Sequence, residues 1–388
     1  MHKYKSAYFS IILIVIGLII YLPTYIDKNM NPVTKHSPYK ISDKANQLHQ
    51  SLLIGDWHAD SALWNRDLSK MNKYGHVDIP RLQKGNVAIQ MFTTVTKSPS
   101  GQNYERNETD ASDNITALAI VNRWPIKTWN SLTERAIFQA NKIIKLSKDN
   151  PENFFLIKSQ KDINNFLKAR SMNENLVGGL IGSEGSHALD GEIKNIQVLF
   201  DNGFRMMSLQ HFFDNKLGGS LHGTTGMGLT SFGKDAVMEM IKLNIILDVS
   251  HSSEQVVKDV LDITNKPIVI SHTGFKGHCD TSRNISDNLM QEIAKRNGLV
   301  GIGYWDAAVC DNSPKSVAEA LHYGIALVGA DHLSLGSDFD GTIEPAFDTS
   351  ELSSITQELL NLGVSNEDIS KIMGLNMLNF LKNNLPKN

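Results

Sequence analysis

The chain has 388 residues, 41% of them hydrophobic and 20% charged, with a formal net charge of −3. That length accommodates one large α/β barrel or two ordinary domains, and the composition excludes a disordered chain. Lysine and arginine are scattered rather than clustered, which excludes a nucleic-acid surface and leaves no nucleic-acid partner to expect.

Residues 1–6 contain Lys3 and Lys5, and Ala7 to Ile26 form a nearly uninterrupted apolar run of about 20 residues, long enough to span a bilayer as a helix. Basic residues ahead of the run favour a cytoplasmic N-terminus, although Lys28 and Lys35 weaken the asymmetry. A cleaved secretory signal is the competing reading. Against it, no small-x-small cleavage site follows Tyr21-Leu22-Pro23, and no cysteine is placed for lipidation. Either way the rest of the chain leaves the cytoplasm. Residues 27–44 are polar, contain Pro32 and Pro38, and read as a linker; residues 45–388 form the folded domain.

Within that domain, short apolar runs suited to strands occur at Leu52–Gly55, Val87–Phe92, Leu176–Ile181, Phe204–Leu209, Ile245–Val249, Ile268–Ile270, Leu299–Ile302 and Leu333–Leu335. Helical period and start signals lie between most of them, at Phe232–Leu243, Ser253–Leu261, Ser286–Ala294 and Pro314–Tyr323. Strands alternating with helices imply βαβ units and a parallel sheet, and eight of them predict a (β/α)8 barrel of the TIM type. Thr96–Trp129 breaks the rhythm and is rich in Ser, Asn, Asp and Thr. It follows the second run, on the face where such barrels work. The tail from Glu351 to Lys382 shows two helical stretches, with a break and new cap at Gly363–Asp368. Cys279 and Cys310 cannot build a disulfide framework, and a single bridge between them stays open.

The apolar runs end abruptly on charge. His58 and Asp60 follow the first, Glu184 the third, His211 the fourth, His251 the fifth, His272 the sixth and Asp338 the eighth. In an extended strand residues two apart project together, so His58 and Asp60 share a face. Active sites of these barrels lie at the C-terminal strand ends, which makes the seven residues one convergent set. Burying that many charges unpaired is too costly for a fold to offset, and metal is the economical explanation. Imidazole and carboxylate without thiolate suit catalytic zinc, with manganese or iron as weaker options. The donors exceed what one zinc needs, so two ions sharing and acidifying one water are expected.

At these residues the chain resembles the membrane dipeptidase (renal dipeptidase) family of the amidohydrolase superfamily. The resemblance covers nearly all of Gln47 to Leu381 and rests on Asp56–Asp60, Gly182–His187, Leu209–His211, Asp248–His251, Ser271-His272, Ser282–Asn284 and Gly336–Gly341. It implies that two zinc ions are bound, one by His58 and Asp60, the other by His251 and His272, with Glu184 bridging. It further implies that Asp338 transfers the proton, that His211 polarises the substrate carbonyl or steadies the oxyanion, and that Arg283 grips the substrate's terminal carboxylate. His187 and Asp340, beside ligands, are expected to orient Glu184 or Asp338; His222, His278, His322 and His332 are read as solvent or packing residues. The implied reaction is hydrolysis of dipeptides, C-terminal D-residues included, by a bridging hydroxide. The implied setting is a bacterial envelope, with an inner-membrane anchor at 7–26 and the domain in the periplasm or outside, or secreted if the segment is cleaved. Family members often form homodimers. Thr96–Trp129 and Thr273–Asp280 depart from the best-known mammalian members and leave substrate preference open. The rival readings are a related amidohydrolase cleaving N-acyl amino acids or lactones, and a silent binding protein of the same fold.

Overall fold

Among the described residues nine strands form one sheet in which every pairing is parallel. They are β1 Ile54–Ala59, β2 Val87–Val95, β3 Phe154–Leu156, β4 Val177–Glu184, β5 Phe204–Ser208, β6 Ile246–Asp248, β7 Val269–Thr273, β8 Leu299–Ile302 and β9 Leu333–Leu335. The structure is a computed structural model that describes residue 17 and residues 20–388. The order β2-β1-β9-β8-β7-β6-β5-β4 closes on itself, because Ile89–Val95 of β2 pair with Gly178–Glu184 of β4. This is the expected (β/α)8 barrel. β3 is an addition: it pairs with Val177–Gly179 on the edge of β4 that β5 occupies from Ile181 onward. It therefore widens the wall without entering the ring, and its three residues are too few to stand out by alternation.

Every residue of β1, β2 and β4 is buried. Helices cover a parallel sheet outside and side chains fill it inside, which is why most of these strands read as continuous apolar runs. Helices Ser231–Lys242, Glu254–Ile263, Asp287–Lys295 and Pro314–Val328 stand where the helical period placed them. Ser253 caps the second by accepting from Val256 N at 3.1 Å. Ser286 makes no side-chain cap; its own backbone N–H donates to Glu254 Oε1. The tail forms Ser353–Asn361 and Asn366–Ser370, the latter capped by Ser365. Helix Asn376–Asn384 then closes the floor of the barrel, where Met377, Phe380 and Leu381 join a cluster with Trp57, Met91 and Leu180.

One expected feature falls largely outside the described residues, and another looks different in the structure. The apolar segment 7–26 lies largely outside the described residues; among those described, a helix covers 20–30, and no helix is long and apolar enough to cross a membrane. Residues 27–44 do not run free as a linker. Asp27 is buried against Arg66, Thr34 N donates to Pro345 O, and the Tyr39 hydroxyl donates to Ala346 O. Their polarity serves the loops after β1 and β9, a use that composition does not distinguish from solvation.

The 96–129 insertion does sit at the C-terminal face, after β2. It contains helices Asn114–Val121 and Lys127–Asn130. Buried Arg135 holds its two ends together, donating to Thr96 O at 2.8 Å and to Trp129 O at 2.9 Å, with Asp113 as counter-ion. Cys279 and Cys310 are joined as a disulfide, linking the loop after β7 to the one after β8.

Candidate metal centre and active site

The set expected at the strand ends does converge. Nε2 of His251, His272 and His58 lies 3.1, 3.3 and 3.5 Å from a single oxygen, Glu184 Oε1. The other oxygen, Oε2, faces His211 Nε2 at 3.3 Å. Asp60 Oδ1 is 3.6 Å and Asp338 Oδ1 3.9 Å from His58 Nε2. All seven residues are buried. The donors form two groups sharing Glu184: His58, Glu184, His272 and Asp338, and Glu184, His211 and His251. His272 adjoins both, since its Nε2 is 2.9 Å from that of His251.

Local chemistry explains how each donor is aimed. Asp56, at the start of the motif on β1, accepts from His58 N, from Gln90 and from Ser337, locking β1 to the end of β9. Asp60 accepts from the Thr93 hydroxyl at 2.6 Å. Gly185, directly after Glu184, has φ 82°, and a Cβ there would stand 3.0 Å from both His187 Nδ1 and His211 Cβ, so glycine lets the chain turn away beneath the carboxylate. Ser271 lies 3.1 Å from His58 Nδ1 and 2.9 Å from His272 Nδ1, and donates to Asp248 Oδ2 at 2.7 Å. With that hydroxyl proton committed to Asp248, both rings donate Nδ1–H to Ser271. Their Nε2 lone pairs then point inward, the orientation a ligating histidine needs.

The electrostatics describe a cluster lacking positive charge. Burial, with Asp60 beside it, raises the Glu184 carboxyl well above the ordinary range. Burial likewise pushes Asp338 up to about 8. It drives His251 and His272 well down and His211 to about 4. His58 alone is held up, at about 10: burial opposes its charge, but the Glu184 and Asp60 carboxylates outweigh it. A proton on His58 thus occupies the position where carboxylate charge converges. His58 Nε2 is also a buried atom without a hydrogen-bond partner. Nitrogen and oxygen donors with inward lone pairs, among buried carboxylates, fit a divalent cation.

Above the cluster lies a cleft walled by Arg283, His211, Tyr104, Ile115 and Thr342. Arg283 is fully buried, donates to Ser250 O and His272 O, and leaves Nε without a partner. Among the described residues no carboxylate lies within ion-pair reach of it, so the cleft offers a buried cation to an incoming anion. His211 donates Nδ1–H to Lys97 O at 3.1 Å, which leaves Nε2 for the site. Tyr104, from the insertion, was not foreseen; it lines the cleft near Arg283 and Asp338. Nor were Asp56, Asp248 and Ser271 assigned their bracing roles. The signal for the two aspartates was an acid two or three residues before a strand-end histidine.

Three neighbouring residues differ from expectation. His187 does not orient Glu184: both its ring nitrogens are buried without partners, edge-on to Phe213. Asp340 does not orient the Asp338 carboxylate directly; it accepts from Ser61 and His76 N and pairs with Arg66. His222 is no ordinary packing residue, since it is buried with its ring 5.3 Å from that of His251, and its Nδ1 binds Tyr104 O. It thereby fastens the insertion to the site.

The sequence matches the membrane dipeptidase family, peptidase family M19, over residues 42–386. The chain belongs to that family. The dipeptidase is 27% identical over 318 residues to dipeptidase tcpJ of Claviceps purpurea (strain 20.1), covering 79% of this chain and 69% of that one. It is 27% identical over 355 residues to dipeptidase aclJ of Aspergillus oryzae, covering 84% and 77%. Its fold is shared with a metallopeptidase from Rhodobacter sphaeroides solved with a phosphinate mimic of the dipeptide L-Ala-D-Ala, at a TM-score of 0.68 and 20% identity over 86% of this chain and 99% of that one. This protein is a metallo-dipeptidase, a hydrolase of dipeptides with buried groups of metal-binding residues at its barrel mouth.

Proposed function

We propose that the chain is a dinuclear zinc dipeptidase that cleaves dipeptides, those with a C-terminal D-residue included. In this reading His58 and Asp60 hold one ion, His251 and His272 hold the other, and Glu184 bridges them. The observation that carries it is the convergence of three imidazole Nε2 atoms within 3.5 Å of one Glu184 oxygen. A single catalytic zinc takes about three protein ligands, fewer than are gathered here. Ions bound there supply Lewis-acid polarisation and an acidified water. Asp338 accepts the proton released when the amide carbon is attacked and passes it to the leaving amine. Burial raises its carboxyl above the ordinary range, which makes its carboxylate form a stronger proton acceptor. His211 faces the oxyanion through Nε2. With Nδ1–H given to Lys97 O, it donates there only as an imidazolium; burial lowers its pKa to about 4, so the developing negative charge has to offset that cost. Arg283 anchors the substrate's free carboxylate.

Acceptance of D-residues is supported by the L-Ala-D-Ala mimic bound to the Rhodobacter sphaeroides neighbour. The apolar run 7–26 and the Cys279–Cys310 disulfide support an anchored domain in an oxidising compartment, the bacterial periplasm or the cell exterior. The test is elemental analysis of the full chain in detergent, with dipeptide hydrolysis measured in the same sample before and after chelation. About two zinc per chain and chelator-sensitive cleavage are expected; one metal or none, without cleavage, overturns the reading. Glu184→Ala is expected to abolish activity and lower zinc content together, and full zinc in that variant counts against the bridge.

A further inference from the structure

The turn after β9 is strained where it carries function. Asp338, Asp340 and Thr342 have φ values of 60°, 64° and 67°. Left-handed conformations cost free energy in a side-chain-bearing residue and persist only where the surroundings over-determine them. Here those surroundings come from the segment ahead of the barrel. Buried Asp27 pairs through Oδ2 with Arg66 Nε at 3.0 Å, and Arg66 Nη2 pairs with Asp340 Oδ1 at 2.8 Å. Asn31 Nδ2 donates to Asp27 Oδ1 at 2.9 Å, while Asn31 Oδ1 accepts from Thr342 N at 3.2 Å. His76 accepts at Nδ1 from Asp340 N at 2.9 Å, which fixes its tautomer, and Nε2–H donates to Pro32 O at 3.0 Å. Two of the three left-handed residues are thus held from residues 27–32.

We infer that Asp27 and Asn31 are positioning residues: through Arg66 and Thr342 they hold the 338–342 turn in the conformation that aims Asp338 at the metal-binding cluster. The segment before the barrel is then a working part of the active site rather than a tether, and any processing of the apolar run must stop short of Asp27. The inference rests on the reading of Asp338 as the proton-transfer residue.

The experiment compares full-chain Asp27→Asn and Asn31→Ala with wild type for kcat, KM, zinc content and Tm, with Asp338→Asn as the reference. A misplaced proton-transfer group slows turnover without weakening substrate or metal binding, so both variants are expected to lose about tenfold or more in kcat at unchanged KM and zinc content. Unchanged kcat per folded, zinc-loaded chain in both variants overturns the inference, and a fall in Tm alone assigns the contacts to stability. If Asp27→Asn does not fold, Asn31→Ala decides, because it leaves the buried ion pair in place. If Asp338→Asn keeps full kcat, the reading of Asp338 fails and this inference with it. If Asp338→Asn is inactive while the other two match wild type, only the inference fails.

Discussion

The Ser271 hydroxyl has one proton and four polar neighbours, His58, His272, Asp248 and Ser250, the last of which gives its own proton to Asp248. Because Asp248 takes that proton, the serine oxygen is left to accept from two imidazoles at once, and a single side chain sets the tautomer of His58 and His272. Ser271→Ala removes this constraint but adds no bulk, and the rings stay packed. Outer contacts of this kind are worth about 10–100-fold in metal affinity. The variant is therefore expected to fold normally and to bind zinc weaker by about that factor, measured by competition with a chromophoric chelator. Unchanged affinity would show that packing alone orients the rings. Arg283 is governed by the same economy: its donors go to carbonyl oxygens rather than carboxylates, so its charge stays available to the substrate.

At the scale of elements, the insertion depends on one guanidinium. Arg135 donates to Thr96 O, Thr128 O, Trp129 O and Asp113 from a site 1% exposed. Lysine keeps the charge but cannot form the planar fork that reaches several acceptors. Arg135→Lys is expected to leave the barrel intact and to speed amide exchange within 96–129, at a cost of about 1–3 kcal/mol for the carbonyls left unpaired. Exchange accelerating evenly across β1 to β9 would place Arg135 in the global fold instead. What was readable in the sequence follows from the same distinction. The eight ring strands and their terminal donors stood out because a buried parallel strand needs an apolar run, and a metal donor at its end breaks that run with charge. β3 was too short for any period, and Arg135, Asp27 and His222 each act through at least one partner distant in sequence, Thr96, Arg66 and Tyr104 respectively. No local pattern separates a buried anchor from a surface charge.

Across the whole molecule, the first and last parts of the domain meet at His49. This side chain, on helix Asp43–Ser51, donates Nε2–H to Gly85 O and accepts at Nδ1 from the Thr356 hydroxyl on helix Ser353–Asn361. Burial holds the ring neutral by lowering its pKa from 6.5 to about 4. A folded value below the unfolded one means that the unfolded chain takes up the proton first. The contribution of neutral His49 to stability is thus fully present above about pH 6.5 and is lost as pH falls towards 4. One pKa unit corresponds to about 1.4 kcal/mol, so the effect is on the order of 3 kcal/mol. His49→Gln keeps a donor and an acceptor but does not titrate. It is expected to be less stable than wild type at pH 7.5, with the gap narrowing steadily between pH 6.5 and 4 as the native histidine loses its advantage. Denaturant unfolding of both proteins across that range measures the gap directly, and a gap constant with pH would mean that His49 titrates alike in the folded and unfolded chains.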